Sequence, residues 1–245
     1  MMKGPVADVC FSPALLPGFE KRTDRIVVVI DILRATTAMC TAFGFGVKSV
    51  IPVMKKETAL ARKEKGWLVA GEENGIRLPF ADFGNSPREF RSKAMKGKEI
   101  VFCTTNGTKA ILKGRSYGQV IIASFVNLEA VCTYIKKQKR DVLILCAGWK
   151  DRFSLEDSVA AGALADRLIH AYGYLPGNDA ALAAISLWNQ ASKSLLKTVS
   201  RSDHYLRLLG IEDRKGLRYC FFPEKFRVVP GLQTNKLINL PEIKE

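Results

Sequence analysis

The stretch Ile26–Thr41, IVVVIDILRATTAMCT, constrains the chain more than any other. Five consecutive β-branched residues read as a strand covered on both faces, the kind found inside parallel α/β sheets. The small apolar residues that follow suit a helix. Asp31 therefore falls at the carboxyl end of a central strand, where open α/β sheets place their ligands. An acid, the Arg34 guanidinium and the Thr36 and Thr37 hydroxyls, so close together, point to a site for a metal and an oxyanion.

The same alternation continues downstream. Strands are predicted at Val6–Phe11, Ile26–Ile30, Ser49–Val53, Trp67–Ala70, Glu99–Cys103, Val120–Ser124 and Val142–Cys146. Helices are predicted at Leu33–Phe43, Glu57–Lys65, Pro87–Met95, Thr108–Lys113, Leu128–Lys137 and Leu155–His170. This spacing argues for βαβ units with right-handed crossovers and a largely parallel sheet. After residue 170 the pattern changes to helices near Asp179–Lys197 and Ser202–Leu209, then extended pieces at Leu217–Phe222 and Arg227–Pro230. The last third either completes the sheet or forms a subunit contact, which leaves a homo-oligomer open. With no flexible linker, residues 1–245 read as one α/β unit with lobes at 1–170 and 171–245.

The 245 residues can bury a large core, and 47% hydrophobic with 25% charged residues is ordinary for a soluble globular protein. No apolar run reaches bilayer length, and the amino terminus lacks a signal-peptide pattern, so no membrane partner and a cytoplasmic location are expected. The six cysteines are widely spaced without a CxxC pair and read as reduced core residues. A net charge of +14 suits an anionic small molecule or a solvated surface. Its lysines are dispersed and mostly close predicted helices, and no nucleic-acid motif accompanies them, so nucleic acid is not an expected partner.

Four strand exits carry polar residues: Asp31 to Thr37; Thr104-Thr105-Asn106-Gly107-Thr108; Ser124 with Asn127; and Ala147-Gly148-Trp149-Lys150 leading to Glu156 and Asp157. If their strands are parallel, all line one sheet edge, and the loop Gly71–Pro87 closes over it. TTNGT offers backbone N–H groups at a helix start for a phosphate or sulfonate, or is simply a capped strand-to-helix turn. It lacks the GKS/T ending of an ATP-binding loop. Asp31 is a magnesium ligand, a nucleophile or a helix cap. The DxDx[T/V] pattern of aspartyl-phosphate phosphatases is broken by Leu33. Ser154 to Asp157 and Ser86 to Glu89 both fit capping boxes, which leaves Glu156 as the more available acid of its pair. Glu72 and Asp82 are not explained by caps. His170 and His204 fall within helical patterns and give little support to histidine chemistry.

Taken in order, IVVVIDILRATTAMCTAFGFG, GEENGI…FADFGNSP, IVFCTTNGTKAI and CAGWKDRFSLEDSVAAGAL resemble the 2-phosphosulfolactate phosphatase (ComB) family. The resemblance spans about Val6 to Asp166, with CFFPEKFRVVP similar to the family's ending. It implies a ComB-like layered α/β/α fold with a largely parallel or mixed sheet. It also implies magnesium-dependent release of phosphate from 2-phospho-3-sulfolactate, a step of coenzyme M biosynthesis. On that reading Asp31, with Glu72 or Glu156, holds Mg2+, and Asp31, Arg34 and Glu156 are the catalytic set. Arg34 and the loop Thr104, Thr105, Asn106, Gly107 and Thr108 bind the phosphoryl group. Thr36, Thr37, Asn85 and Ser86 are further substrate-binding candidates, and Lys150 and Arg152 reach the carboxylate or sulfonate. Water is the expected nucleophile, with aspartyl-phosphate formation as the second route. Where the family reads Gly-Glu-Arg, this chain has Gly71-Glu72-Glu73; Arg77, or Lys150 and Arg152, are the cations able to compensate. The alternatives are a phosphatase for another phosphorylated 2-hydroxy acid and a non-catalytic anion-binding protein.

Overall fold

The computed structural model describes residues 4–223 and 225–242. Among these residues eleven strands form one mixed sheet. They are β1 (Val6–Cys10), β2 (Ile26–Ile30), β3 (Ser49–Pro52), β4 (Leu68–Glu73), β5 (Ile76–Arg77), β6 (Glu99–Cys103), β7 (Gln119–Ala123), β8 (Val142–Cys146), β9 (Leu175–Pro176), β10 (Pro230–Gln233) and β11 (Lys236–Asn239). The order is β5-β4-β6-β3-β11-β10-β7-β2-β8-β1-β9. Nine α-helices among the described residues complete it: α1 (Ala35–Gly44), α2 (Lys56–Glu64), α3 (Gly107–Gly114), α4 (Leu128–Gln138), α5 (Leu155–Tyr172), α6 (Asp179–Ala191), α7 (Leu195–Val199), α8 (Asp203–Leu208) and α9 (Arg214–Tyr219).

Strand β2 lies between β7 and β8, parallel to both, and all five of its side chains are buried. Ile26, Val28 and Ile30 pack with α4, α5 and α6, whereas Val27 and Val29 pack with α1 and α3. The result is a layered α/β/α arrangement. Each of these side chains contributes about 1.5–3 kcal/mol by leaving water.

The sheet is less uniform than a run of βαβ units predicts. One parallel block is β7-β2-β8-β1-β9, and the other is β4-β6-β3. Between them sits the β10–β11 hairpin, antiparallel to β7 on one side and to β3 on the other. Three successive antiparallel pairings leave the two blocks opposed in sense.

The expected extended piece at Arg227–Pro230 is therefore only the approach to β10. The predicted strand at Leu217–Phe222 is instead helix α9 and its exit, because Asp213 Oδ1 accepts the Gly216 N–H at 2.6 Å and caps a helix there. Pro87–Met95 is not one helix but two 3-10 turns, Pro87–Phe90 and Lys93–Met95. The long helix expected over Asp179–Lys197 breaks at a 3-10 turn, Ser192–Ser194, between α6 and α7. Glu224, inside the CFFPEKFRVVP stretch, lies outside the described residues. Among those described, no helix is long and apolar enough to cross a membrane.

Candidate functional site

The two blocks run in opposite senses, so the strand exits do not share one edge of a parallel sheet as expected, but residues at the carboxyl ends of β2, β4, β6 and β8 line one small cavity of about 20 Å³. Asp31 and Arg34 line it from the β2 exit, Glu72 from the end of β4, and Thr105 and Asn106 from the β6 exit. Trp149 comes from the β8 exit. The turn Asn74–Gly75 and the α8 residues His204, Arg207 and Leu208 close the top. That volume admits about one water or one bare cation.

Asp31 is held where the sequence puts it. Its backbone N–H donates to Thr36 Oγ1 at 2.9 Å, and its Oδ1 accepts the Ala35 N–H at 3.2 Å. Its Oδ2 lies over Gly107, where an added Cβ would come within 2.8 Å of it and 2.5 Å of Ala35 Cβ. Only glycine lets the start of α3 approach the acid this closely. Glu72 ties the other block to the site: Oε1 accepts the Thr105 N–H at 2.8 Å, and Oε2 accepts the Gly75 N–H at 2.5 Å.

Two more acids stand behind. Asp157 accepts from the Ile32 N–H at 2.8 Å and the Gly148 N–H at 3.1 Å, joining the β2 and β8 exits. Ser154 does cap α5 through the Asp157 N–H, but the Asp157 carboxylate does not return to complete the expected box. Glu156, expected to be the more available acid, does not line the cavity. It is 1% exposed, neither carboxylate oxygen is hydrogen-bonded, and His204 Nδ1 stands 3.4 Å from Oε1.

Burial dominates the electrostatics, and neighbouring acids add to it. Burial, reinforced by Glu72 and Glu156, pushes the Asp31 carboxyl up to about 7 despite its backbone hydrogen bond and Arg34. Burial also raises Glu156, and burial with the charges of Asp31 and Glu156 raises Asp157 well above the carboxylate range. His204 is pushed down to about 3 by burial and by Arg207 and Arg34. Arg207 Nη2 lies 3.0 Å from His204 Nε2. Arginine only donates, so Nε2 accepts and the proton of the neutral ring sits on Nδ1, facing Glu156.

Arg34 is 4% exposed, with Nη1 paired to Glu212 and Nη2 donating to Gly75 O at 2.9 Å. Its Nε is buried without an acceptor. Arg207 Nη1 donates to Asn74 O at 2.7 Å, so two arginines clasp the Asn74–Gly75 turn.

Other candidates go elsewhere. The hydroxyls of Thr36 and Thr37 donate to Asp31 O and Ile32 O, and both residues are fully buried outside the cavity. Thr104 and Thr108 bond each other reciprocally across the turn. With Thr105 donating to Glu72, three of the loop's amides are already engaged and the expected phosphate cradle is narrower. Ser124 and Asn127 form their own capping box, and Asn127 anchors the approach to β10 through Val228 O at 3.0 Å, so the β7 exit is not part of the site. Asp82 pairs with Lys63 at 2.5 Å. Lys150 and Arg152 are exposed in a turn, with Lys150 Nζ 5.1 Å over the Trp149 ring. Asn85 lines the cavity. Ser86 makes no side-chain cap bond and the Glu89 carboxylate accepts the Gly84 N–H at 2.9 Å, so neither half of the expected capping box forms. Glu73 points outward to Lys56 at 2.8 Å.

Sequence reasoning missed His204 and Arg207. Their three-residue spacing on a short helix, one turn apart, was the available signal.

Among the described residues no group of three His, Cys, Asp or Glu side chains is placed to hold a metal ion. Magnesium, however, is commonly held by one or two carboxylates with water and substrate phosphate oxygens. Asp31 and Glu72, which both line a cation-sized cavity, fit that smaller requirement.

The fold and site define a layered α/β protein with a pocket that sets buried carboxylates against buried arginine at strand ends. The family model described as 2-phosphosulpholactate phosphatase matches residues 10–235, and the chain belongs to that family. A Thermotoga petrophila relative is 40% identical over 208 residues, covering 85% of this chain and 89% of its own. A Symbiobacterium thermophilum relative is 36% identical, covering 92% and 98%. One from Carboxydothermus hydrogenoformans is 36% identical, covering 94% and 95%. Each is named a probable 2-phosphosulfolactate phosphatase.

Proposed function

We propose that this chain is a magnesium-dependent phosphatase that hydrolyses the phosphate ester of 2-phospho-3-sulfolactate to 3-sulfolactate and phosphate. The observation that carries the reading is the pairing of Asp31 and Glu72 with the unsatisfied Arg34 Nε at one cavity, in a chain whose relatives bear that name. Asp31 and Glu72 would hold the cation, which supplies charge neutralisation at the phosphoryl oxygens and a more acidic water.

Arg34 binds the transferring phosphoryl group, since its orphaned N–H is satisfied by an anionic oxygen and stabilises the charge that develops there. Asp157 keeps the β2 and β8 exits in register, so Asp31 and Trp149 face the same space. Glu156 acts through His204: the Nδ1–H faces its carboxylate, and the ring holds Arg207 over the cavity. In the reaction, water's hydroxyl ends on phosphorus, the phosphorus–ester oxygen bond breaks, and water's proton ends on the released alkoxide. The cavity is too small for the ester itself, so the Asn74–Gly75 turn parts from Arg34 and Arg207 on binding.

A phosphate-release panel tests the reading with phosphosulfolactate, phosphoglycolate, phospholactate and phosphoglycerate, each with and without magnesium. Phosphosulfolactate should be the best substrate, and only with magnesium. Preference for another member of the panel, or equal rates in its absence, overturns the assignment.

A further inference from the structure

On the outer side of Arg34 a second, wider cleft of about 340 Å³ opens to solvent. It shares Arg34, Gly75 and Asn85 with the inner cavity, so the two spaces are adjacent. Arg77 from β5 and Arg88 from the first 3-10 turn stand at its mouth, both exposed. Glu89 and Glu212 also line it, but each is engaged, with the Gly84 N–H and with Arg34. Arg88 pairs with Asp213, and Arg77 reaches Asp82 O at 3.4 Å.

A second, independent observation concerns two neutral groups. Asn85 and Ser86 line this cleft, 6% and 8% exposed, and Asn85 Oδ1 and Ser86 Oγ have no hydrogen-bond partner. Buried polar side chains are nearly always satisfied, so an unpaired hydroxyl beside an unpaired amide oxygen points to a ligand. The hydroxyl can donate, and the amide turned over presents its NH2.

We propose that this cleft binds the non-transferring sulfonate of the substrate, with Arg77, Arg88 and Ser86 as specificity-determining residues and Asn85 on the wall between the two anions. The assignment rests on the phosphatase reading above. A sulfonate presents three oxygens in a pyramid and suits donors arriving from separate elements, whereas a planar carboxylate is matched by one bidentate arginine. Lys150 and Arg152, the other cations able to serve, line neither space.

The test uses Arg77→Ser and Arg88→Gln, both surface changes, with three esters: 2-phosphosulfolactate, 2-phospholactate, and the phosphate ester of 2-hydroxyethanesulfonate. Each variant should raise KM about tenfold or more for the two sulfonates with kcat little changed, and shift 2-phospholactate by less than about twofold. Equal losses on all three, losses that follow the carboxylate, or no loss overturn the proposal. Calorimetry with 3-sulfolactate against lactate separates binding from catalysis. The wild type should prefer 3-sulfolactate, and the variants should lose that preference; no preference in the wild type overturns the cleft. A preference that depends on Arg77, in a protein releasing phosphate from none of the esters, supports the cleft and contradicts the phosphatase reading.

Discussion

The acidic floor of the site and its arginine rim are built on different terms. Asp31, Glu72, Glu156 and Asp157 are all buried, and they come from the carboxyl ends of strands or the first turn of α5. Three of them are fixed by backbone N–H groups, so their positions are set by the sheet itself. The rim arginines 77, 88 and 207 come from a two-residue strand, a 3-10 turn and a six-residue helix, and they bond mostly to carbonyls or surface acids. Burial and mutual proximity raise Asp31, Glu156 and Asp157, so the floor relieves like-charge repulsion by holding protons. An acidic floor held by the sheet thus lies beneath a cationic rim carried by short elements.

The sharpest way to break that contrast is Asp31→Asn. It should lower phosphate release by about 10²-fold or more while the far-ultraviolet circular dichroism is unchanged, because the amide keeps the local bonds but not the charge. Gly107→Ala comes next. Its Cβ would collide with Ala35 and Asp31, so we expect about 1–3 kcal/mol of destabilisation in urea and roughly tenfold lower turnover.

The acid–base behaviour of the floor gives a third test. The Asp31 pKa is raised from an ordinary 3.8 to about 7, so its proton stabilises the metal-free fold in full below about 4. That contribution is lost as pH rises to about 7 and changes little above. Magnesium must displace the same proton, so its apparent affinity should fall up to about tenfold for each pH unit below about 7. Thermal shifts induced by magnesium at pH 6, 7 and 8 measure this, and a shift independent of pH contradicts it. At the small end, Glu73→Arg should alter kcat/KM by less than about twofold, because Glu73 lies on the outer face against Lys56. A larger gain in kcat/KM would bring position 73 into the rim.

How far the sequence foretold these two regions follows the same division. Strands β2, β6 and β8 coincide with their predicted bounds, since β-branched and aromatic runs between polar exits leave few alternatives. Asp31, Thr105 and Asn106 were legible because they closely follow such strands, whereas Glu72, expected in the loop after a strand ending at Ala70, lies within β4, which runs on to Glu73. The rim was not. His204 and Arg207 reach the site only because the last third folds back over the sheet edge, a long-range packing that no local pattern encodes. The β10–β11 hairpin was hidden for a related reason: Pro230 and Gly231 are poor strand formers, and tertiary pairing with β7 overrides them. Asp157 looked like half of a capping box, but its carboxylate bonds residues from two other elements, which spacing alone does not reveal.

Magnesium titration by calorimetry at pH 8, on the EDTA-stripped protein and on its Asp31→Asn variant, most directly tests the floor as a cation site. One ion should bind the wild type saturably, and the variant should bind it at least tenfold more weakly. Equal binding by both proteins, or none by the wild type, would contradict it.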